Sequence, residues 1–369
     1  MVALGHRLKA YAAFIDTKRL NGTQQILLTK NAVTDSANQP QAASANRSGF
    51  GAFFRRVVSR AFVAGCWVLA ILFALSVLGG QFFIGDVLSN FQFHFLILLS
   101  IGLAITLVSR SGSFLPIVLA IAVGWAGFEQ AQYWIPVSQP PPGPTKVRLM
   151  SFNVLGGNRS FQATIDEINE HDPDVVFLLE YSNLWHDACE PLAEQYPHHV
   201  RVRRWHGYGI AMFSKLPINE SQIVQPFSEK MDLPVIDATV DVAGQSLRLI
   251  AIHTFSPIND FRWKLRNDQL KQVVDVINQG DAATVLVGDF NMGPASRRLD
   301  ALLASAGLRE SRTGFGRQPT WPAYAGPFAV PIDHALVSES VHIHNRFVGD
   351  AIGSDHLPIF VDLSIAGTE

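Results

Sequence analysis

Two strings in the C-terminal half carry the residue types that hydrolytic chemistry uses. Val285-Leu286-Val287-Gly288-Asp289-Phe290-Asn291 ends an apolar run in a carboxylate and a carboxamide. Ile352-Gly353-Ser354-Asp355-His356-Leu357-Pro358 sets a carboxylate beside an imidazole. In extended chain, residues two apart face the same way. Asp289 can then handle a proton while Asn291 donates to a phosphate oxygen. A histidine oriented by an aspartate from elsewhere in the chain is the usual arrangement for general-base work. Asp333, which leads into an apolar strand, is one such aspartate.

Three more polar residues sit at the ends of apolar runs. Glu180 follows Val175 to Leu179, Asn153 lies in Leu149 to Val154, and His253 follows Leu249 to Ile252. A carboxylate such as Glu180 suits a hard cation, for example Mg²⁺, which prefers oxygen ligands. Taken singly, each has a plainer explanation. Glu180 could be a solvated strand end, Asn153 a turn former, His253 a satisfied structural residue, and Asp289-Phe290-Asn291 an Asx turn.

The elements that must position them are short strands. Apolar runs predict strands over Val147–Val154, Val175–Leu179, Gly209–Phe213, Leu247–His253, Thr284–Gly288, His334–Val337 and Ile359–Leu363. Apolar residues recurring at three and four predict helices over Phe161–Asn169 and Lys264–Asn278. A mixed region of about 220 residues buries a sizeable core, and layered α with β is the natural class. Periodicity alone does not give the topology.

The order of these strings resembles the endonuclease/exonuclease/phosphatase superfamily, the DNase I-like fold, over residues 146 to 366. That family shows an N-V string, an apolar run ending in Glu, a G-x-A-x-x-S-x-x-P-I-like strand, an apolar run ending in His, G-D-F-N, an I-D string followed by Ser, and S-D-H. The chain supplies Asn153-Val154, Glu180, Gly209 to Ile218, His253, Gly288 to Asn291, Ile332-Asp333 with Ser338, and Ser354 to His356, in that order. Thr320-Trp321 resembles a position that closes the site.

The resemblance implies an α+β fold, a four-layer α/β/β/α sandwich, and hydrolysis of a phosphoester with Mg²⁺, or Mn²⁺, as cofactor. It implies Glu180 as the main metal ligand, with Asn153 and Asp355 beside it. It implies His356, oriented by Asp333, as half of the acid/base apparatus, Asp289 as the group that activates or orients water, and Asn291 and His253 as holders of the non-bridging oxygens. Whether Asp289 or His356 takes the water proton stays open. Two departures are visible. Tyr181 follows the metal Glu where smaller residues are usual, and Arg201, Arg203 and Arg204 form the only dense basic patch.

The charge is divided along the chain. Before residue 145 there are ten Lys+Arg and four Asp+Glu, a net of +6; from residue 145 on there are 19 and 27, a net of −8, and the sum is the overall −2. An acidic catalytic part lacks the positive field of a tight duplex binder. The resemblance implies as substrate either nucleic acid or a phospholipid or small phosphoester. No protein partner is evident. Cys66 and Cys189 cannot build a disulfide framework.

The N-terminal part predicts a membrane domain. Residues 1–56 form a polar tail expected to be mostly disordered. Residues 57–135 hold three uncharged runs, expected as transmembrane helices over about 61–80, 91–109 and 114–134. The third is shortened by Glu129. Arg47, Arg55, Arg56 and Arg60 precede the first span, Gln81–Asn90 carries no Lys or Arg, and Arg110 follows the second. The positive-inside rule then places the N-terminus in the cytoplasm and the catalytic domain outside it. Pro-rich residues 136–145 read as a stiff linker. A transporter fits poorly, since the spans' only ionisable residues are His94 and Glu129. A catalytically silent domain used as a membrane-tethered binding or signalling module is the alternative. A silent domain has no physical need to keep a water-activating carboxylate beside a metal site.

Overall fold

The computed structural model describes residues 42–109, 114–205, 207–224 and 233–367, with side chains from Phe50 onward. Residues 1–41 of the expected tail, and Arg110, lie outside the described residues, as does the side chain of Arg47.

The N-terminal part is helical: α1 (Ala42–Val77), α2 (Phe83–Ser89), α3 (Gln92–Val108) and α4 (Leu115–Ala131). Residues 42–56 are helical, as the start of α1. One expectation needs correction: three spans are not found among the described residues. Phe50–Val77 is the one described helix long and apolar enough to cross a membrane, with mean hydropathy 2.1. A second span exists only if α2 and α3, bent by 77°, count as one. The reason is helix length. An uncharged run counts residues, but α3 and α4 each hold only 17 in helix, about 25 Å at 1.5 Å per residue. Helix ends, and in the third run the 3-10 turn Gln132–Trp134, take up the remainder. Around Leu99, Leu119 and Ala126, α3 and α4 pack with Cys66 and Phe73 of α1.

The catalytic part holds β1 (Val147–Asn153), β2 (Val175–Leu179), β3 (His198–Val202), β4 (Ile210–Ser214), β5 (Ile218–Val224), β6 (Val235–Val242), β7 (Gln245–His253), β8 (Ala283–Asp289), β9 (Leu308–Glu310), β10 (Asp333–Ser338), β11 (Val341–Val348) and β12 (Ile359–Ile365). They form two six-stranded sheets, ordered β11-β12-β1-β2-β4-β3 and β5-β6-β7-β8-β10-β9. Helices α5 (Phe161–His171), α6 (Asn183–Ala188) and α7 (Leu192–Gln195) accompany the first sheet, and α8 (Asp260–Ile277) and α9 (Arg297–Ala306) the second.

Alternation along the strands builds the layers. Val175, Phe177 and Leu179 of β2 join Leu249 of β7 and Val285 of β8 in a core between the sheets. Their neighbours Val176 and Leu178 point the other way, into a second core with Ile168 and Trp185. Ile250 and Leu286 do the same against Leu270 and Val273 of α8. A strand buried on both faces reads as a continuous apolar run, which is why β2 and β8 are legible in the sequence. The two-sheet α/β architecture expected from the resemblance is present. Strands β3, β5, β6, β9 and β11 were not among those the apolar runs predicted. β5 is mostly exposed and β3 only partly buried, so neither carries a strong apolar signal.

The linker is not a free spacer. Gln139 pairs with the Ile343 backbone, donating to its carbonyl at 3.2 Å and accepting its N–H at 2.7 Å. The Gly143 N–H donates to Ser364 Oγ at 3.0 Å. Residues 139–143 therefore run along β11 and β12.

Candidate active site

Strand register assembles the polar residues. In the second sheet His253 is the register partner of Asp289 across β7 and β8, and Asp333 is the partner of Asp289 across β10 and β8. Three strand ends thus set one row of functional groups. In the first sheet Asn153 pairs with Leu179, which brings it beside Glu180. Gly288, at φ 145°, is required here: a Cβ would lie 1.9 Å from the Ile252 carbonyl oxygen of the neighbouring strand. No other residue lets β8 approach β7 this closely just before Asp289.

Asp289 is the centre of the cluster and 1% exposed. Its Oδ2 accepts the Asn153 amide at 3.1 Å, with His253 Nε2 at 3.5 Å and His356 Nε2 at 3.6 Å. Its Oδ1 accepts the Asn291 N–H at 2.8 Å. Burial pushes its pKa up, against the pull of His356. His356 Nδ1 meets Asp333 Oδ2 at 2.9 Å. Burial would lower the His356 pKa, but the charges of Asp333 and Asp289 overcome it and raise the value to about 10. His253 goes the other way, with burial holding it below the usual histidine range. The site therefore sets a charged imidazole and a neutral one on either side of the same carboxylate.

Glu180 lies at the edge of this cluster, half-buried. Its Oε1 is 3.3 Å from the Asn153 amide, and its Oε2 accepts the Gly156 N–H at 2.9 Å. Leu155, Glu180 and Asn291 all have left-handed backbone, at φ 58°, 59° and 49°. Each such non-glycine residue costs on the order of 1–3 kcal/mol, and strain of this kind concentrates at functional sites.

The remaining predicted residues take defined places. Asn291 donates its side-chain amide to the Thr254 carbonyl at 3.0 Å, which leaves its second amide hydrogen for another acceptor. Asp355 accepts the Trp321 indole N–H at 3.0 Å, while Thr320 Oγ1 faces the Ile332 and Asp333 backbone N–H groups at 3.3 and 3.4 Å. Ser354 bridges the two ends, donating to the Asn153 carbonyl at 2.7 Å and accepting the His356 N–H at 3.1 Å. Tyr208, whose ring stacks at a tilt 4.9 Å from His253, is a wall residue that no sequence motif singled out. Its placement just before the Gly209 strand was the available signal.

Two groupings could hold a cation. Asp289, Asp333 and His356 bring one ligand-type atom each within 4.8 Å of one another. Two of the three are already joined by the His356–Asp333 hydrogen bond, Asp289 accepts from Asn153 and Asn291, and the set includes a nitrogen. Glu180 offers carboxylate oxygens at a half-open edge, the donor type that Mg²⁺ prefers, with the Asn153 side-chain nitrogen facing its Oε1 and the Asn153 Oδ1 accepting the Leu155 N–H at 3.1 Å. The second grouping fits the cation better.

The family model described as Endonuclease/Exonuclease/phosphatase family matches residues 150–356. The chain belongs to this family. Structural likeness agrees. Zebrafish (D. rerio) TDP2 complexed with a single-strand DNA product shares 20% identity at TM-score 0.51, over 59% of this chain and 99% of that one. Humanised D. rerio TDP2 shares 21% identity at TM-score 0.50, over 59% and 99%. At these identities the likeness shows the fold. No curated protein matches the chain by sequence.

The Asp333–His356 bond predicts a kinetic signature. His356→Ala and Asp333→Asn should each lower kcat on a phosphodiester by roughly a hundredfold or more, and the double variant should be little worse than the poorer single. Steady-state kinetics on the three proteins measures this, and additive losses would disprove the pairing.

Proposed function

We propose that the chain is a membrane-anchored, divalent-cation-dependent phosphoester hydrolase. The observation that carries this reading is the convergence of Asn153, His253 and His356 on one buried oxygen of Asp289. Such an arrangement suits a water that passes a proton to Asp289 as its oxygen bonds to phosphorus, while the P–O bond to the leaving group breaks and the His356 imidazolium gives that oxygen a proton. Neutral His253 and the second amide hydrogen of Asn291 would then donate to the non-bridging oxygens as charge builds there. Glu180 would hold Mg²⁺ or Mn²⁺, with Asn153 and Asp355 beside it as the family resemblance implies. When bound, that cation supplies Lewis-acid stabilisation of phosphoryl charge. The substrate is a phosphoester, either nucleic acid or a phospholipid or small phosphoester, and the net −8 beyond residue 144 favours the latter two.

Anchoring is supported by the apolar Phe50–Val77 helix, whose apolar 18-residue window is only 17% buried. Arg55, Arg56 and Arg60 gather toward its N-terminal end, and none follows it before Arg110. One crossing by α1 puts the catalytic domain on the extracytoplasmic side. Crossings by α3 and α4 as well would return it to that same side.

Two outcomes follow. Glu180→Gln should keep the fold and lower phosphodiesterase activity at limiting Mg²⁺ by at least about a hundredfold, with partial recovery at high Mg²⁺; wild-type activity at limiting Mg²⁺ would remove Glu180 from the cation site. A reporter that works only outside the cytoplasm, fused after Glu369, should be active, and a silent fusion would overturn the assigned side.

A further inference from the structure

A residue far outside the family domain is built into the support of the site. Asp86 lies in α2, between the apolar helices α1 and α3, and is 1% exposed. A carboxylate so far from water is costly unless it is paired and fully hydrogen-bonded. Its Oδ2 accepts the Trp263 indole N–H at 2.8 Å and the guanidinium of Arg266, and its Oδ1 accepts the Ser296 hydroxyl. Trp263 and Arg266 stand three residues apart on α8, so they share a face. Ser296 is the N-cap of α9 and accepts the Arg298 N–H at 3.2 Å. One carboxylate therefore ties together the first turns of α8 and the start of α9.

The same Arg266 reaches the site. Its Nη1 donates to the Asn291 backbone carbonyl at 3.1 Å, and the Asn291 N–H donates to Asp289 Oδ1 at 2.8 Å. The left-handed conformation of Asn291 thus has Arg266 on one side of its backbone and Asp289 on the other. A second tie lies one step along. Asn90, the residue that caps α2, accepts the Gly293 N–H through Oδ1 at 2.5 Å. The other end of the segment is equally close. Gly80 has φ 93°, and a Cβ there would lie 2.6 Å from Cβ of Arg297. Both ends of residues 80–90 therefore meet the stretch after Asp289, Asn90 at Gly293 in the loop and Gly80 at Arg297 where α9 starts.

We infer that Asp86 and Arg266 are positioning residues for the reaction proposed above: docking of α2 on residues 291–297 fixes Asn291 and, through it, the carboxylate of Asp289. This inference rests on the phosphoester-hydrolase reading. It makes the segment between the apolar helices part of the catalytic apparatus, although it lies outside residues 150–356 matched by the family. A purely structural role for the same cluster has a different signature. It would lower the amount of folded protein and leave activity per folded molecule unchanged.

The test uses the full chain purified in detergent. Asp86→Asn keeps the shape of the side chain and removes its charge. It should lower kcat by about tenfold or more with KM within about twofold, since neither residue touches substrate. Arg266→Gln should do the same, and the double variant should be no worse than the poorer single. Hydrogen exchange reads the coupling without activity. In Asp86→Asn the amides of Asn291 and Gly293 should exchange at least about tenfold faster, while those of Leu286 and Val287 in β8 stay protected. Should Asp86→Asn fail to fold, Trp263→Phe removes one donor and keeps the packing; it should shift kcat and exchange in the same direction by about threefold. Unchanged kcat per folded molecule, or unchanged exchange at Asn291 and Gly293, overturns the inference. An inactive wild-type chain would instead overturn the phosphoester reading, and the exchange measurement would still decide the coupling.

Discussion

A carboxylate removed from water must find partners or give up its charge, and Asp289 is such a group. Its two oxygens are met by an amide from β1, a histidine from β7, a histidine from the Ser354–His356 segment and the backbone of Asn291. These partners come from both sheets. The sandwich can satisfy Asp289 only if β1 and β8 end at the same level, and the strand registers on either side of them arrange this. Asp333 faces Asp289 across β10, and Asn153 sits beside Glu180 across β1 and β2. Burial and charge then separate the two histidines. His356, between two aspartates, holds its proton, while His253 is held neutral by desolvation. That difference is what acid/base chemistry at one centre requires.

Much of this was legible because the site lies at strand ends. A β-strand buried on both faces must be apolar throughout, so a polar residue closing such a run stands out. Glu180 after Val175–Leu179 and Asp289 after Val285–Gly288 were visible for that reason. The Asp333–His356 pair was reached only through the family resemblance, since 23 residues of chain separate the two and the strand pattern alone does not say which aspartate the histidine meets. Asp355 illustrates the limit further. The resemblance implied a ligand beside Glu180, and in the structure its carboxylate accepts the Trp321 indole N–H. Strands β3 and β5 escaped notice because partly or mostly exposed strands lack a sustained apolar signal.

The membrane part was read from counts of uncharged residues, and such counts overlook how a chain bends. The Gln81–Asn90 stretch was read as a loop between two spans that carries no Lys or Arg. It contains a helix whose one aspartate is buried against α8 and α9. Nothing in a single sequence links Asp86 to Arg266, 180 residues away. The Pro-rich linker likewise looked like a spacer, yet its polar groups pair with β11 and β12. The N-terminal helices and the catalytic sandwich therefore share buried polar contacts.

The most direct test of the central claim follows the attacking water. The full chain, with Mg²⁺ and a chromogenic phosphodiester, is allowed to turn over in water enriched in heavy oxygen. Attack on phosphorus at the Asp289 centre predicts label in the phosphate product and none in the released phenol, with the signal lost in Asp289→Asn. Label in the phenol, or undiminished labelling of phosphate by Asp289→Asn, would contradict the account.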